Sequence, residues 1–414
     1  MLRRTFLFLA LCGIFNFSIA LAQGPCPTAP LGTKLYCLIP NSLGLTGPAT
    51  GDASFFNAPL GIQLSELPLA SPASGFIYTF NKAQSVYTST NESFGPILTE
   101  RSETIGKYKL YVAFTYQHFG FSSIDGTDLK NVPIVLRGFD KGKEVDTETT
   151  NRIDAKADQY AVFGTFGLTD RIDVSVAIPF ERVSLGFSRK GTEFEAGGMT
   201  KSIPGFSHGE ADGIGDVVLA VKGTVWRGSK LGLAVGTEVR VPSGDALNFL
   251  GSGAVGVKPY FSLSRRGGFA PHVNGGYQWN ADSVLAKRCP AGGCTAANPG
   301  SDQQLPMNAF YAFGADWGVT KHLTVVADFL GQRFLDSPRV SRPVSIPIAV
   351  QPGLSYPSIV AERGPFSVNN VSIGMKANLL GHLLATANVL VKANDSGLRS
   401  KVVPMAGLSY SFGD

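Results

Sequence analysis

The sequence predicts an all-β transmembrane protein, an antiparallel up-and-down β-barrel of twelve strands preceded by an N-terminal segment. Three observations predict it. Two-faced runs of about ten residues recur from residue 107 onward, the connections between them alternate between short and long, and the chain is rich in glycine yet poor in charge. There are 49 glycines in 414 residues and 16% charged residues, against roughly 7% and 25% in an average soluble protein. Soluble strands run about 5–6 residues, whereas tilted membrane strands need ~9–11.

The N-terminus comes first. "MLRRTFLFLALCGIFNFSIALAQ" places Arg3 and Arg4 before an apolar stretch that closes on Ala20-Leu21-Ala22. This is the pattern of a secretory signal over residues 1–22, with cleavage expected after Ala22. The exported part keeps Cys26, Cys37, Cys289 and Cys294. An even count in an oxidising compartment suggests Cys26–Cys37 and Cys289–Cys294 disulfides. "CPAGGC" has no second Cys or His pair near it in sequence, which argues against a metal site. No later apolar run reaches the ~20 residues of a membrane helix, so an exported chain that enters a membrane must do so as a closed barrel.

Residues 23–106 precede the first clear strand. They carry Pro, Gly and Ser punctuation and one short hairpin candidate, "GFIYTFNKAQSVYTSTN". Counting that hairpin would raise the barrel to fourteen strands. "LGIQLSELPLASPASGF" is apolar for a free tail, so the segment is expected to plug the lumen, with a periplasmic extension as the alternative.

The barrel is expected over 107–414. Its strands are read at 107–121, 158–168, 171–183, 216–226, 231–242, 254–264, 269–280, 307–318, 322–334, 366–379, 382–394 and 401–412. In 231–241 one face is Leu231, Leu233, Val235, Thr237, Val239 and Val241, and the other carries Gly232, Ala234, Gly236, Glu238 and Arg240. Such alternation marks a strand with one apolar and one polar side. Turns near 169–170, 227–230, 265–268, 319–321 and 381 are short. The connections 122–157, 184–215, 243–253, 281–306 and 335–365 are long, and 395–400 is of middling length. Even strand number with short turns at one end matches an outer-membrane barrel whose termini are periplasmic. Trp317, Tyr410 and Phe412 fall on apolar faces at that end, and Phe180, Tyr277 and Trp279 at the other, as interfacial girdles do. Trp226 falls on the polar phase, which calls for a bulge or a shifted register.

"GIGDVVLAVKGTVWRGSKLGLAVGTEVRVPSGDALNFLGSGAVGVKPYFSLS" is similar to the outer-membrane barrel family named for the MetA pathway of phenol degradation. Gly213, Gly215, Asp216, Pro242, Ser243, Gly244, Asp245, Leu250, Gly251, Ser252 and Gly253 carry the resemblance. It implies a barrel that passes hydrophobic or aromatic small molecules, in the manner of fatty-acid channel proteins, and it brings no catalytic residues. Pro-Ser-Gly-Asp is also a plain turn sequence.

With the apolar faces toward lipid, the lumen receives Asp173, Glu238, Arg240, Lys258, Tyr260, His272, Asn274, Gln278, Asp316, Asp328, Lys376, Asn378, Asn388 and Lys392. They form either a hydrogen-bonded network that holds the barrel or the selective lining of a conduit. One register sets Glu238 opposite Lys258. The apolar "PVSIPIAVQPGLSYPSIV" would capture solute or cap the mouth. "HGEADG" is a solvated acidic turn, with a cation site as the weaker reading. Ser262 and His272 could pair across a hairpin as nucleophile and base, but they point inward, away from lipid, and no orienting residue is evident.

The expectation is therefore a non-enzymatic, cofactor-free channel in a Gram-negative-type outer membrane, passing small hydrophobic or aromatic solutes passively. Its partners are the bilayer and, through the aromatic C-terminal strand, the outer-membrane assembly machinery. The formal charge of +5 gives nucleic acid little electrostatic support. A structural or surface-interaction barrel without transport is the alternative, and a lipid hydrolase is a remoter one.

Overall fold

The computed structural model describes residues 34–42, 50–71, 78–81, 86–89, 93–140, 143–198, 200–288 and 300–412. The signal-peptide reading, Cys26, Cys289 and Cys294 lie outside them. Twelve antiparallel strands form the wall: β1 (Leu110–Ile124), β2 (Lys143–Gly167), β3 (Ile172–Glu195), β4 (Val217–Arg227), β5 (Leu231–Val241), β6 (Gly256–Arg265), β7 (Phe269–Asn280), β8 (Asn308–Thr320), β9 (Leu323–Val340), β10 (Ala361–Leu380), β11 (Leu383–Lys392) and β12 (Val402–Phe412). Each pairs with its neighbour in sequence, and β12 returns to β1 with Leu408 opposite Phe114 and Phe412 opposite Leu110. The wall is thus closed and leaves no edge. The hairpin Tyr78–Asn81/Val86–Ser89 exists as a separate two-stranded unit, so the count stays at twelve.

Alternation decides which way each side chain points. Val235, Phe261, Val273, Phe313 and Ile373 are among the outward residues left exposed, while Ala234, Ser262, Asn274, Ala312 and Ser372 beside them are buried. An apolar surface of that extent fits hydrocarbon and would be a liability in water. Trp226, Trp317, Tyr410 and Phe412 are exposed at the short-turn end, and Tyr160, Phe180 and Trp279 at the other. Trp226 follows an outward Val225 because the β4–β5 register shifts between Thr224 and Trp226, which is the bulge its phase required.

The long connections 122–157 and 184–215 differ from expectation, because much of them is strand. β2 and β3 run on past the membrane as 25- and 24-residue strands, joined by strands Val132–Asp140 and Gly205–Ile214. Their outward residues change there from Val162 and Tyr160 to Asp158, Lys156, Asp154 and Arg152, so this part faces water. A side-chain hydrogen bond from Arg152 holds the Asp154 carboxyl below the usual carboxylate range. The inward residues Ile153, Ala155, Val183, Leu185 and Phe187 stay buried. "HGEADG" is therefore strand rather than turn, with Glu210 bonded to Arg182 at 2.8 Å. The apolar connection after β9 forms the hairpin Val344–Pro347/Ser355–Ser358. It lies against strand Val132–Asp140, where the Ile359 amide donates to the Pro133 carbonyl at 3.0 Å.

Two helices precede the barrel, α1 (Leu35–Ser42) and α2 (Thr50–Leu64). Leu35, Leu38, Ile39, Phe56, Leu60, Ile62 and Leu64 pack into one buried cluster with Ile153, Leu185, Phe187, Phe249, Leu285 and Phe334. These partners come from the long-loop end, so the helices fill the mouth there. Residues 93–106 then run within the lumen to the short-turn end. A tight turn with Gly106 at φ 96° and Tyr108 at φ 61° reverses the chain into β1.

Candidate functional site

The lumen has a floor, a chamber and a roof. The floor is built where 93–105 crosses the barrel. Its own residues reach the wall in every direction, because the inward strand positions are polar and offer partners at each step. Arg101 and Ser93 both bond the Asp316 carboxylate, and Asp316 is fully buried. Glu100 meets Lys222 at 2.8 Å, its amide donates to Asn274 Oδ1 at 2.7 Å, and its carbonyl accepts from Ser262 Oγ at 2.8 Å. Ser102 and Ser264 hydroxyls lie 2.7 Å apart. Lys376 Nζ donates to the Pro96 carbonyl at 2.6 Å, and the Ile105 amide donates to Asp173 at 2.9 Å. His272 stands between two carboxylates, with Nε2 2.7 Å from Asp328 and Nδ1 3.5 Å from Asp316; Thr99 Oγ1 lies 2.9 Å from Nε2.

Above the floor a cavity of about 330 Å³ remains. Its lining mixes apolar residues, among them Leu69, Leu98, Phe163, Phe310, Leu330 and Phe334, with polar ones, among them Glu66, Glu181, Arg240, Lys258, Tyr260 and Gln278. Lys258 Nζ stands 5.0 Å from the centre of the Phe310 ring. Four of the cavity's charges form two pairs, Arg240 with Glu66, and Lys258 with Glu238 across the β5–β6 register that sets them opposite, while Glu181 accepts from Gln159 Nε2 at 3.0 Å. Gln278 donates to Glu66 at 2.9 Å. The mouth helices form the roof.

The expected lumen residues divide between these levels. Asp173, His272, Asn274, Asp316, Asp328 and Lys376 belong to the floor, and Glu238, Arg240, Lys258, Tyr260 and Gln278 to the chamber. Asn388 bonds Ser372 at 2.9 Å inside the wall. Asn378 closes the short-turn end of β10, its amide bonded to His322 O at 2.9 Å. Lys392 sits near the long-loop rim and pairs with Asp395.

Ser262 and His272 are not a pair. Ser262 faces Asn274 across the hairpin, and His272 faces Ser264. The serine hydroxyl is committed to the Glu100 carbonyl and the imidazole to Asp328 and Thr99, so Ser262 does not lie beside His272. Sequence reasoning missed Glu66, Glu100 and Arg101, which lie in a stretch without periodicity. Lys222 and Glu181 were also missed, although each occupies the inward phase of its strand.

The residues that carry the family resemblance gather at the chamber's rim as a clamp. Asp216 accepts the amides of Ser252 at 2.7 Å and Gly244 at 3.1 Å, and the Ser252 hydroxyl as well. Ser243 Oγ donates to the Gly215 carbonyl at 2.7 Å. Asp245 caps the short 3-10 turn Ala246–Asn248 and meets Lys34 at 2.6 Å. Their role in the described structure is to join two long connections.

Solved structures with a similar course include the COG4313 outer membrane channel from Pseudomonas putida F1. It is 11% identical, covering 76% of this chain and 99% of that one, with a TM-score of 0.46. The toluene transporter TbuX of Ralstonia pickettii is 8% identical, over 74% and 90% of the two chains, at 0.34. A FadL homologue from Pseudomonas aeruginosa is 8% identical, over 75% and 90%, at 0.30. No curated protein matches the sequence. A family model does match, over residues 138–356, more than half the chain, and the clamp around Asp216 lies within that span. The chain therefore belongs to the outer-membrane barrel family described as "Putative MetA-pathway of phenol degradation".

Proposed function

We propose that the protein is a passive outer-membrane channel for small hydrophobic or aromatic molecules, with residues 23–106 as its internal plug. The observation that carries this reading is the chamber of about 330 Å³ in the lumen, lined in part by aromatic and aliphatic side chains. Its size suits a single-ring solute, since small-molecule pockets run from ~300 Å³ upward and are mostly apolar. The Arg240–Glu66 and Lys258–Glu238 pairs present polarity with most of the charge compensated. Passage requires the floor to shift, and its contacts, being polar and ionic, can be exchanged for water. The proposed Cys26–Cys37 disulfide would tie the exported N-terminus to α1, and Cys289–Cys294 would brace the connection after β7. The aromatic β12 is the segment offered to the assembly machinery.

The test is uptake of a labelled monoaromatic hydrocarbon, at limiting concentration, by cells with an intact outer membrane. Cells producing the protein should take it up faster than cells lacking it. Phe310→Asp, which places a charge on the chamber wall, should remove the gain while leaving heat-dependent gel migration of the barrel unchanged. No acceleration by the unaltered protein sinks the transport reading. The extramembrane sheet of β2 and β3 would then favour a surface-interaction barrel.

A further inference from the structure

The short-turn end carries a charge distribution that a channel lumen does not need. Lys107, Arg171, Arg227, Lys230, Arg265 and Lys321 are all exposed there. They come from five of the six described segments at that end: the lead into β1 and the β2–β3, β4–β5, β6–β7 and β8–β9 turns. In these segments the carboxylates outside the lumen are Glu103 and Asp170. Glu103 is occupied by Arg266 at 3.0 Å. Among the described residues, Arg171, Lys230, Arg265 and Lys321 are in no ion pair. The other end differs in carrying both signs on its outward face: Arg152 pairs with Asp154 at 2.9 Å, Arg182 with Glu210 at 2.8 Å and Arg363 with Asp336 at 2.8 Å, beside exposed cations such as Lys130, Lys156 and Arg342 that are in no ion pair among the described residues.

Depth identifies what the cations face. Several lie beside exposed rings of the lower aromatic belt. Arg227 follows Trp226, Lys321 is four residues past Trp317, and Arg265 stands level with Pro271, two residues inside Phe269 on the facing strand. At roughly 3.3 Å per strand residue, these cations stand at the depth of the rings or a few residues from it, where aromatic belts mark the lipid–water interface. They also surround most of the circumference and form no single patch, which suits a lipid annulus better than a docked protein.

We propose that this basic collar binds the headgroups of anionic glycerophospholipids in the periplasmic leaflet. The collar holds the barrel at a fixed depth and enriches anionic lipid around it. A basic residue near an anionic surface changes partitioning by about fivefold, and the attraction is screened by salt.

The experiment uses the full-length barrel in nanodiscs of mixed phosphatidylglycerol and phosphatidylcholine. The lipid retained after transfer to an uncharged detergent is weighed by native mass spectrometry. Phosphatidylglycerol should be enriched over phosphatidylcholine, and the enrichment should fall at least roughly tenfold in Arg171→Gln/Lys230→Gln/Arg265→Gln/Lys321→Gln. A control variant, Arg152→Gln/Arg182→Gln/Arg363→Gln, should keep it. Equal retention of the two lipids by the unaltered protein overturns the proposal. So does enrichment that survives in the quadruple variant or is lost in the control. Should the quadruple variant fail to fold, the unaltered protein still decides. Enrichment must then decline between low and molar salt, and salt-independent enrichment overturns the collar as its cause.

Discussion

Asp216 shows how one side chain can organise two connections. It is buried, takes three donors from Gly244 and Ser252, and lies 3.7 Å from Arg240 of the chamber wall. Hydrogen bonds to a charged group contribute about 1.5–3 kcal/mol, and a stranded buried donor costs a similar amount. Asp216→Ala should therefore destabilise the barrel by about 3 kcal/mol, read as a lowered urea midpoint for loss of heat-dependent gel migration. Asp245→Ala removes a cap from a more exposed site and should cost about 1 kcal/mol. Equal effects would mean that Asp216 is not the centre of the clamp. The same scale explains part of the glycine content. Tyr260 lies over Gly236 and Tyr311 over Gly331, each directly opposite on the next strand. A Cβ at either glycine would meet the ring at under 3 Å. An aromatic that folds flat across its neighbour needs a glycine beneath it.

Among the elements, the segment 93–105 differs from the strands in what holds it. Its bonds run to β3, β4, β6, β7, β8, β9 and β10, and most are polar. Removing Glu100 and Arg101 together takes away the Lys222 and Asp316 pairs and leaves no net charge change within the segment. Glu100→Gln/Arg101→Gln should therefore loosen the floor while the wall persists. Planar-bilayer recordings should show more frequent and larger conductance steps than the unaltered chain. Unchanged recordings would mean that the ionic contacts do not restrain the floor. This segment also marks the limit of legibility. The wall strands were readable because lipid demands an apolar residue at every outward position and the lumen tolerates polar ones, so period two survives over ten residues. The inward phase named Asp316, His272 and Lys376 for the same reason. Glu100 and Arg101 follow no period, and their partners are 122 and 215 residues away. The extensions of β2 and β3 were hidden differently. In 151–158 the buried members are small or alternate with charges, so the stretch resembles a solvated connection.

At the scale of the whole molecule, closure and plugging are one event. Seven strands bond to 93–105, and the last of those, β10, is made long after the segment itself; Phe94 also packs with Leu384 of β11. The segment cannot be seated until the sheet curls around it, and the sheet curls shut when β12 pairs with β1. Arg101 is 7% exposed in the closed molecule and Lys376 3%, although both would be tryptic sites in an open chain. In detergent-folded protein the Arg101–Ser102 bond should resist trypsin while urea-unfolded chain is cut there within minutes, as peptide mass spectrometry would show. Deleting Val402–Phe412 leaves β1 and β11 as unpaired edges and should expose Arg101 to cleavage at a rate near that of the unfolded chain. If the truncated protein instead keeps the bond protected, the floor is held by the strands it touches without closure. If the complete barrel is cut as readily as the truncated one, the segment does not stay seated, and the chamber above it is open to the periplasm.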